Sequence, residues 1–286
     1  MPRPDIHEAN RIAWNAATQV HNSHKQDQAA FFRGGGSTLF PDEIELLGDI
    51  AGKRLLHLQC NAGQDSLSLA QLGANVTGVD ISDEAIAFAT ALSADAGIPA
   101  TFVRADVYDW LDTAQDRPER YDVVFSSYGC LVWLSDLTHW SERIVGNLAP
   151  GGRVVLLDFH PFAMTFEWDW SARLPYFTGG APESYESGVG DYVALSGDAL
   201  APSGFVPGVQ DWKNPHPGHE FRWTLGEIAT ALTAAGLAIT TLREYPYSNG
   251  AKLFDRMQET PGRRMVPPED VPNVPLMFGI VATRFA

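Results

Sequence analysis

Across residues 52–157 short apolar runs alternate with longer stretches of helical periodicity, and this alternation confines the chain more than any other feature. Strands separated by helical segments bury both of their faces in a parallel sheet with crossover helices packed on either side. The pattern predicts strands over 54–59, 75–80, 100–105, 121–126 and 153–160, with helices over 65–72, 83–96 and 137–148. Ser82 stands where an N-cap is needed and Gly97 just past the end of the same helix. Pro150-Gly151-Gly152 separates the last of these helices from the fifth strand. Crossovers in such sheets are right-handed, so the carboxyl ends of the strands gather along one edge, where doubly wound folds bind ligands.

The flanking segments have a different texture. Ile6, Ala9, Ile12, Ala13, Ala16, Ala17 and Val20 recur at helical spacing, and Arg33-Gly34-Gly35-Gly36-Ser37 ends that helix. Residues 162–221 are rich in Pro, Gly and aromatics without sustained periodicity, which reads as an insertion. A helix over 223–236 and strands over 237–245 and 277–285 complete the chain. Four parts are expected: a helical lid over 1–50, the ligand-binding core over 51–160, an aromatic-rich insertion over 161–222, and the remainder of the core over 223–286.

With 286 residues, 45% of them hydrophobic and 19% charged, a large core is available and wholesale disorder is excluded. The formal charge of −15, with no Lys/Arg cluster to offset it locally, argues against a nucleic-acid partner and favours a neutral or cationic small molecule. No apolar run approaches the roughly 18 residues that cross a bilayer. The first residues lack both the apolar core of a secretory signal and the Arg/Ser bias of a transit peptide. Together with only two cysteines, Cys60 and Cys130, this points to the cytoplasm. The oligomeric state is not legible.

The chemistry concentrates where the first predicted strand meets its loop, in Leu55-Leu56-His57-Leu58-Gln59-Cys60-Asn61-Ala62-Gly63-Gln64-Asp65. A loop that brings backbone N–H groups and a helix N-terminus against a ligand needs residues tolerant of left-handed dihedrals; Gly63 is free to adopt them and Asn61 does so more readily than most. The second strand ends in Asp80, followed by Ile81, and the third runs into Asp106-Val107. A carboxylate after each of two successive strands suits ribose hydroxyls and an adenine amino group, and so describes an adenosine site. A dinucleotide fingerprint spaces its glycines G-x-G-x-x-G, whereas Gln59, Asn61 and Gly63 alternate by two.

On these residues the chain resembles the class I S-adenosylmethionine-dependent methyltransferases. The segments LLHLQCNAGQDSLSLA, GVDIS, YDVVFSSYGCLVWL and LAPGGRVVLLDFHPF resemble a bacterial small-molecule subgroup, with His57, Gln59 and Asn61 departing from the superfamily's acid and first two glycines. The resemblance implies a Rossmann-like, doubly wound, seven-stranded and mostly parallel sheet with an antiparallel last strand, and S-adenosyl-L-methionine as cofactor. It implies that Asp80 holds the ribose, Asp106 and Val107 the adenine, and that Gln59, Cys60, Asn61, Gly63 and Ile81 line the rest of the cofactor. It also places Ser37 near the carboxylate end, and Ser126, Ser127 and Tyr128 nearest the sulfonium and the acceptor. No metal ligand set is implied.

The expected activity is methyl transfer to a small-molecule acceptor, on oxygen in preference to nitrogen, with His160 as candidate general base and Tyr128 beside it. The alternative reading of His160, a structural imidazole bonded to backbone, is the stronger of the two. The aromatics of 162–212 read either as a satellite core or as a lid over an aromatic or cationic acceptor. A nucleic-acid methyltransferase and a non-catalytic cofactor-binding protein are the competing functions; the SSYG after the fourth strand is unlike the Pro-Pro-aromatic motif used on base amino groups.

Overall fold

Ser82 and Gly97 bracket their helix as their residue types require. The Ser82 hydroxyl accepts the Ala85 N–H at 3.1 Å, and Gly97 ends the helix in the left-handed region at φ 69°. The same local logic builds the rest of the chain, which a computed structural model describes over residues 1–117 and 119–285. First come α1 (Pro4–Ser23), α2 (Gln28–Arg33) and α3 (Pro41–Leu47). The alternating region gives β1 (Arg54–Leu58), α4 (Gln64–Gln71), β2 (Asn75–Asp80), α5 (Asp83–Ala96), β3 (Thr101–Arg104), α6 (Val107–Asp112), β4 (Tyr121–Ser127), α7 (Leu137–Asn147) and β5 (Leu148–Phe159). After it come β6 (Pro182–Tyr185), α8 (Tyr192–Ser196), β7 (Gly218–Phe221), α9 (Leu225–Ala234), β8 (Leu237–Tyr245), β9 (Ser248–Asn249), β10 (Gln258–Thr260), β11 (Arg264–Val266) and β12 (Met277–Arg284).

The central sheet has the order β3-β2-β1-β4-β5-β12-β8, with β12 antiparallel to both of its neighbours and β1 to β5 parallel. This is the Rossmann-like arrangement expected. Because side chains alternate along a strand, Leu56, Val124, Val154 and Leu156 face one layer with Trp140 and Ile144, while Leu55, Val123, Phe125, Val155 and Leu157 face the other with Leu47 and Leu69. The chain winds outward from β1 to β3 and then returns to β4, so the crevice at the carboxyl ends of β1 and β4 is the topological switch point. No helix among the described residues is long and apolar enough to cross a membrane.

Four elements differ from expectation. The N-terminal helical region is two helices, interrupted between Ser23 and Gln28. β5 begins at Leu148: Tyr121 pairs with Leu148 and Val123 with Arg153, so Pro150-Gly151-Gly152 forms a bulge inside the strand and not a loop before it. A short helix, α6, follows β3, capped by the Asp106 side chain on the Tyr108 N–H at 2.9 Å. Residues past β8 add a three-stranded sheet of β10, β11 and β9, and β6 pairs with β7 inside the 162–221 segment.

Gly63 joins β1's loop to α4 at φ 78°, and a Cβ there would stand 2.6 Å from Ala89 Cβ and 2.9 Å from the Phe102 ring. Position 63 therefore sets how closely α4 approaches α5 and β3. The Gly63→Ala variant should lose about 2 to 4 kcal/mol, from overpacking and a left-handed residue together, as a lower urea midpoint. A midpoint equal to the parent's would show that this approach is not tight.

Candidate active site

Three residues of the loop after β1 adopt positive φ at alternate positions: Gln59 at 54°, Asn61 at 49° and Gly63 at 78°. Two of them are not glycine, so the turn is held from outside. The Asn61 N–H donates to Asp80 Oδ2 at 2.8 Å and the Cys60 N–H to the Val79 carbonyl at 3.0 Å, which ties the loop to the end of β2. Asn61 Oδ1 accepts the Ala62 N–H at 2.6 Å, the local bond that lets Asn tolerate this region. Gln59 Nε2 donates to the Cys130 carbonyl at 2.8 Å, leaving its buried Oε1 without a partner among the described residues.

Over this loop lies a cavity of about 460 Å³. Gln59, Cys60, Asn61, Asp80, Ile81, Asp106, Val107, Ser127 and Tyr128 all line it, so most of the expected site residues converge. Burial pushes the Asp80 carboxyl above its ordinary value, and the N–H groups of Ser82, Asn61 and Ile81 pull it back. Asp106 is shared: Oδ1 caps α6, while Oδ2 lies 2.6 Å from His7 Nδ1 on α1. The other nitrogen of His7 sits 2.7 Å from Ser135 Oγ, and its ring stacks on Tyr108.

Four expected residues stand elsewhere. Gly63 does not reach the cavity, because its role is the packing of α4. Ser126 is buried within the sheet with its hydroxyl toward the Leu58 carbonyl at 3.5 Å, since strand alternation turns it from the side that Ser127 presents. Ser37 is exposed and its Oγ accepts the Leu39 N–H; Thr38 faces the cavity instead, donating to Asp65 Oδ1 at 2.5 Å. His160 lies outside the cavity lining. Its Nδ1 accepts the Phe162 N–H at 3.0 Å and its Nε2 is 2.9 Å from Glu244 Oε1, so this geometry favours the structural reading over the general base.

Tyr128 lines the cavity at φ 41°, its hydroxyl accepting from Asn249 Nδ2 at 2.9 Å. Burial, reinforced by the nearby Glu43, pushes its phenol well above the ordinary value and keeps it a neutral hydroxyl. Burial does the same to the Cys60 and Cys130 thiols, which are reduced. The turn after β4 is fastened by Asp158, which accepts the N–H groups of Gly129, Leu131 (3.1 Å) and Phe159 (2.7 Å).

Sequence reasoning passed over several lining residues. Asp65 opens α4; Lys25 presents an amine without a hydrogen-bond partner among the described residues, which burial pulls down to about 8 against the opposing pull of Asp65. Trp14 meets Trp133 edge-on with centroids 5.6 Å apart, and Phe221, Trp223 and Tyr192 extend this aromatic wall. The convergence of α1, the turn after β4 and the 162–221 segment is a matter of tertiary placement, with no local signal beyond aromatic density.

Comparison with known proteins fits this geometry. A family model described as a methyltransferase domain matches residues 55–152. The ubiquinone biosynthesis O-methyltransferase of Proteus mirabilis is 40% identical over 107 residues, covering 36% of this chain and 40% of that protein. Its namesake in Photorhabdus laumondii is 38% identical over 81 residues, covering 28% and 32%. The chain thus spans less than half the length of these curated relatives. The crystal structure of an S-adenosylmethionine-dependent methyltransferase from Mesorhizobium loti superposes with a TM-score of 0.56 at 21% identity, over 87% of this chain and 99% of that one. One from Clostridium acetobutylicum gives 0.53 at 11%, over 86% and 88%.

Residues 55–152 thus carry a methyltransferase domain, on the fold of the solved S-adenosylmethionine-dependent methyltransferases. The donor and acceptor set of the cavity suits the two ends of S-adenosylmethionine. A carboxylate at the end of β2 matches a ribose diol, the orphaned Gln59 Oε1 matches an ammonium, and the unpaired Lys25 amine matches a carboxylate.

His57, which stands where the resembled family carries an acid, is bonded through Nδ1 to Ser66 Oγ at 2.8 Å and held neutral by burial, which pulls it down to about 4. The unfolded chain takes this proton near pH 6.5 and the folded chain only near 4. Stability contributed by His57 is therefore whole above 6.5 and is lost as pH falls toward 4, at up to about 1.4 kcal/mol per pH unit. Urea unfolding of His57→Gln should fall off less steeply than the parent across that window. Equal slopes would contradict a neutral buried imidazole.

Proposed function

We propose that this protein transfers a methyl group from S-adenosylmethionine to a hydroxyl of a small aromatic acceptor. The observation that carries the reading is Asp80: a carboxylate that holds the loop after β1 by one bond and lines the cavity at the switch point of the sheet. In this reading Asp80 accepts from the ribose hydroxyls and Ile81 packs beside it, while Asp106 and Val107 take the adenine. Gln59, Cys60 and Asn61 line the methionine portion, Gln59 Oε1 accepting from its ammonium and Lys25 pairing with its carboxylate.

The cofactor supplies an activated methyl donor, so the protein's share is positioning and exclusion of water. Residues 1–50 and 161–222 form the cover that excludes it. His24, at the end of α1, lies 2.7 Å from Asp191 at the start of α8, and Trp14 packs edge-on against Tyr192. The tryptophan-rich wall suits a flat aromatic acceptor. The O-methyltransferase relatives support oxygen as the receiving atom.

S-Adenosylhomocysteine should raise the melting temperature, and NAD and NADP should leave it unchanged. The Asp80→Asn variant should bind S-adenosylhomocysteine more weakly by roughly 1.5 to 3 kcal/mol in calorimetry, the worth of hydrogen bonds to a charged acceptor. Unaltered affinity would remove Asp80 from the ribose.

A further inference from the structure

The carboxylates lining the cavity are Asp65, Asp80, Asp106, Asp158 and Glu220, and four of them are committed. Asp65 accepts from Thr38, Asp80 and Asp158 from backbone N–H groups, and Asp106 from Tyr108 and His7. Glu220 accepts no hydrogen bond from any described residue. Its natural counter-ion is turned away: Arg222 Nη2 lies 2.6 Å from Glu183 Oε2, and Nη1 donates to the Met164 carbonyl at 3.0 Å.

Glu220 also sits on a fixed support. It belongs to β7, where it pairs directly across from Glu183 on β6. A buried Asn10 side chain on α1 locks the strand at the adjacent residue, donating to the His219 carbonyl and accepting the His219 N–H, both at 2.8 Å. Just beyond β7, Trp223 Nε1 donates to the Leu134 carbonyl at 2.9 Å, which ties this wall to the turn after β4. Burial raises the Glu220 carboxyl and the charge of Glu183 raises it further, against a smaller pull from Arg222 than that of burial.

Among the other titratable groups of the wall, His7 is engaged at both ring nitrogens, by Asp106 and Ser135, and Lys25 is assigned to the cofactor's carboxylate. His21 is pulled down to about 4 by burial, with Nε2 on the Gly190 carbonyl, and His57 is held on Ser66. Tyr128 and both thiols are kept protonated.

We infer that Glu220 is the catalytic base that accepts the acceptor's hydroxyl proton, and that the acceptor is a phenol seated between Glu220 and the tryptophan wall. This rests on the methyl-transfer reading above. The O–H proton moves to the Glu220 carboxylate and an oxygen lone pair forms the new bond to the methyl carbon. The carbon–sulfur bond breaks with its electron pair left on sulfur, and the proton on Glu220 then passes to water.

4-Nitrophenol, whose absorbance reports its ionisation, is the probe, titrated into the full-length protein with S-adenosylhomocysteine bound. Beside the Glu220 carboxylate the bound phenol should stay protonated to higher pH, and Glu220→Gln should lower its apparent pKa by about one unit or more. Glu220→Asp, which keeps the charge, should retain the parent spectrum. Glu220→Gln should also slow methyl transfer by about 10²- to 10⁴-fold, the usual range for a general base, while calorimetry finds unchanged affinity for S-adenosylhomocysteine. The same ionisation of bound phenol in parent and Glu220→Gln, or no binding of 4-nitrophenol by the parent complex, would overturn the role of Glu220. Failure of the parent to bind S-adenosylhomocysteine would instead overturn the methyl-transfer reading.

Discussion

The bond from the Asn61 N–H to the Asp80 carboxylate, at 2.8 Å, joins the two halves of the site. It spans neighbouring parallel strands at their carboxyl ends, and it compensates for left-handed conformations that cost Gln59 and Asn61 roughly 1 to 2 kcal/mol each relative to the right-handed region. With the loop pinned there, α4 can start at Gly63, pack tightly on Ala89 and Phe102, and leave the carboxyl edge of β1 open. The cavity exists because the loop is held back by a carboxylate from the adjacent strand.

The chain's formal charge of −15 makes the electrostatics of that cavity a problem of acids without cations. Asp80 and Asp158 meet it the same way, by accepting backbone N–H groups, so each acid orders a turn while being stabilised by it. Asp106 uses a helix N-terminus and the imidazole of α1. Lys25 and Arg263 bring basic groups to the cavity lining, Arg263 donating to the Thr38 carbonyl at 2.8 Å beside the Phe40 ring. Glu220 follows neither pattern, and its isolation is what gives it chemical capacity.

Much of this was legible from residues alone. The short apolar runs that become β1, β2 and β4, the caps at Ser82 and Gly97, and the alternate spacing of Gln59, Asn61 and Gly63 are local signals, and the structure carries each of them, including a positive φ at all three loop positions. Other features depend on distant contacts. α6 is a six-residue helix capped by Asp106, and β9 to β11 are too brief to show a period. His160 follows the right strand, yet its ring turns toward Glu244 and Phe278, a choice made by packing against β8 and β12. Ser37 and Thr38 exchange roles, Thr38 Oγ1 reaching Asp65 while Ser37 Oγ stays on the Leu39 N–H. Glu220 was hidden for a plainer reason: its importance comes from what Arg222 does instead of pairing with it.

In the proposed function the acid closing β2 grips the nucleoside of the methyl donor. A crystal structure of the protein with S-adenosylhomocysteine tests it most directly. The expected result is electron density for the ribose with both hydroxyls within hydrogen-bond distance of the Asp80 carboxylate. A nucleoside bound elsewhere, with Asp80 still bonded only to Asn61 and Ser82, would contradict it.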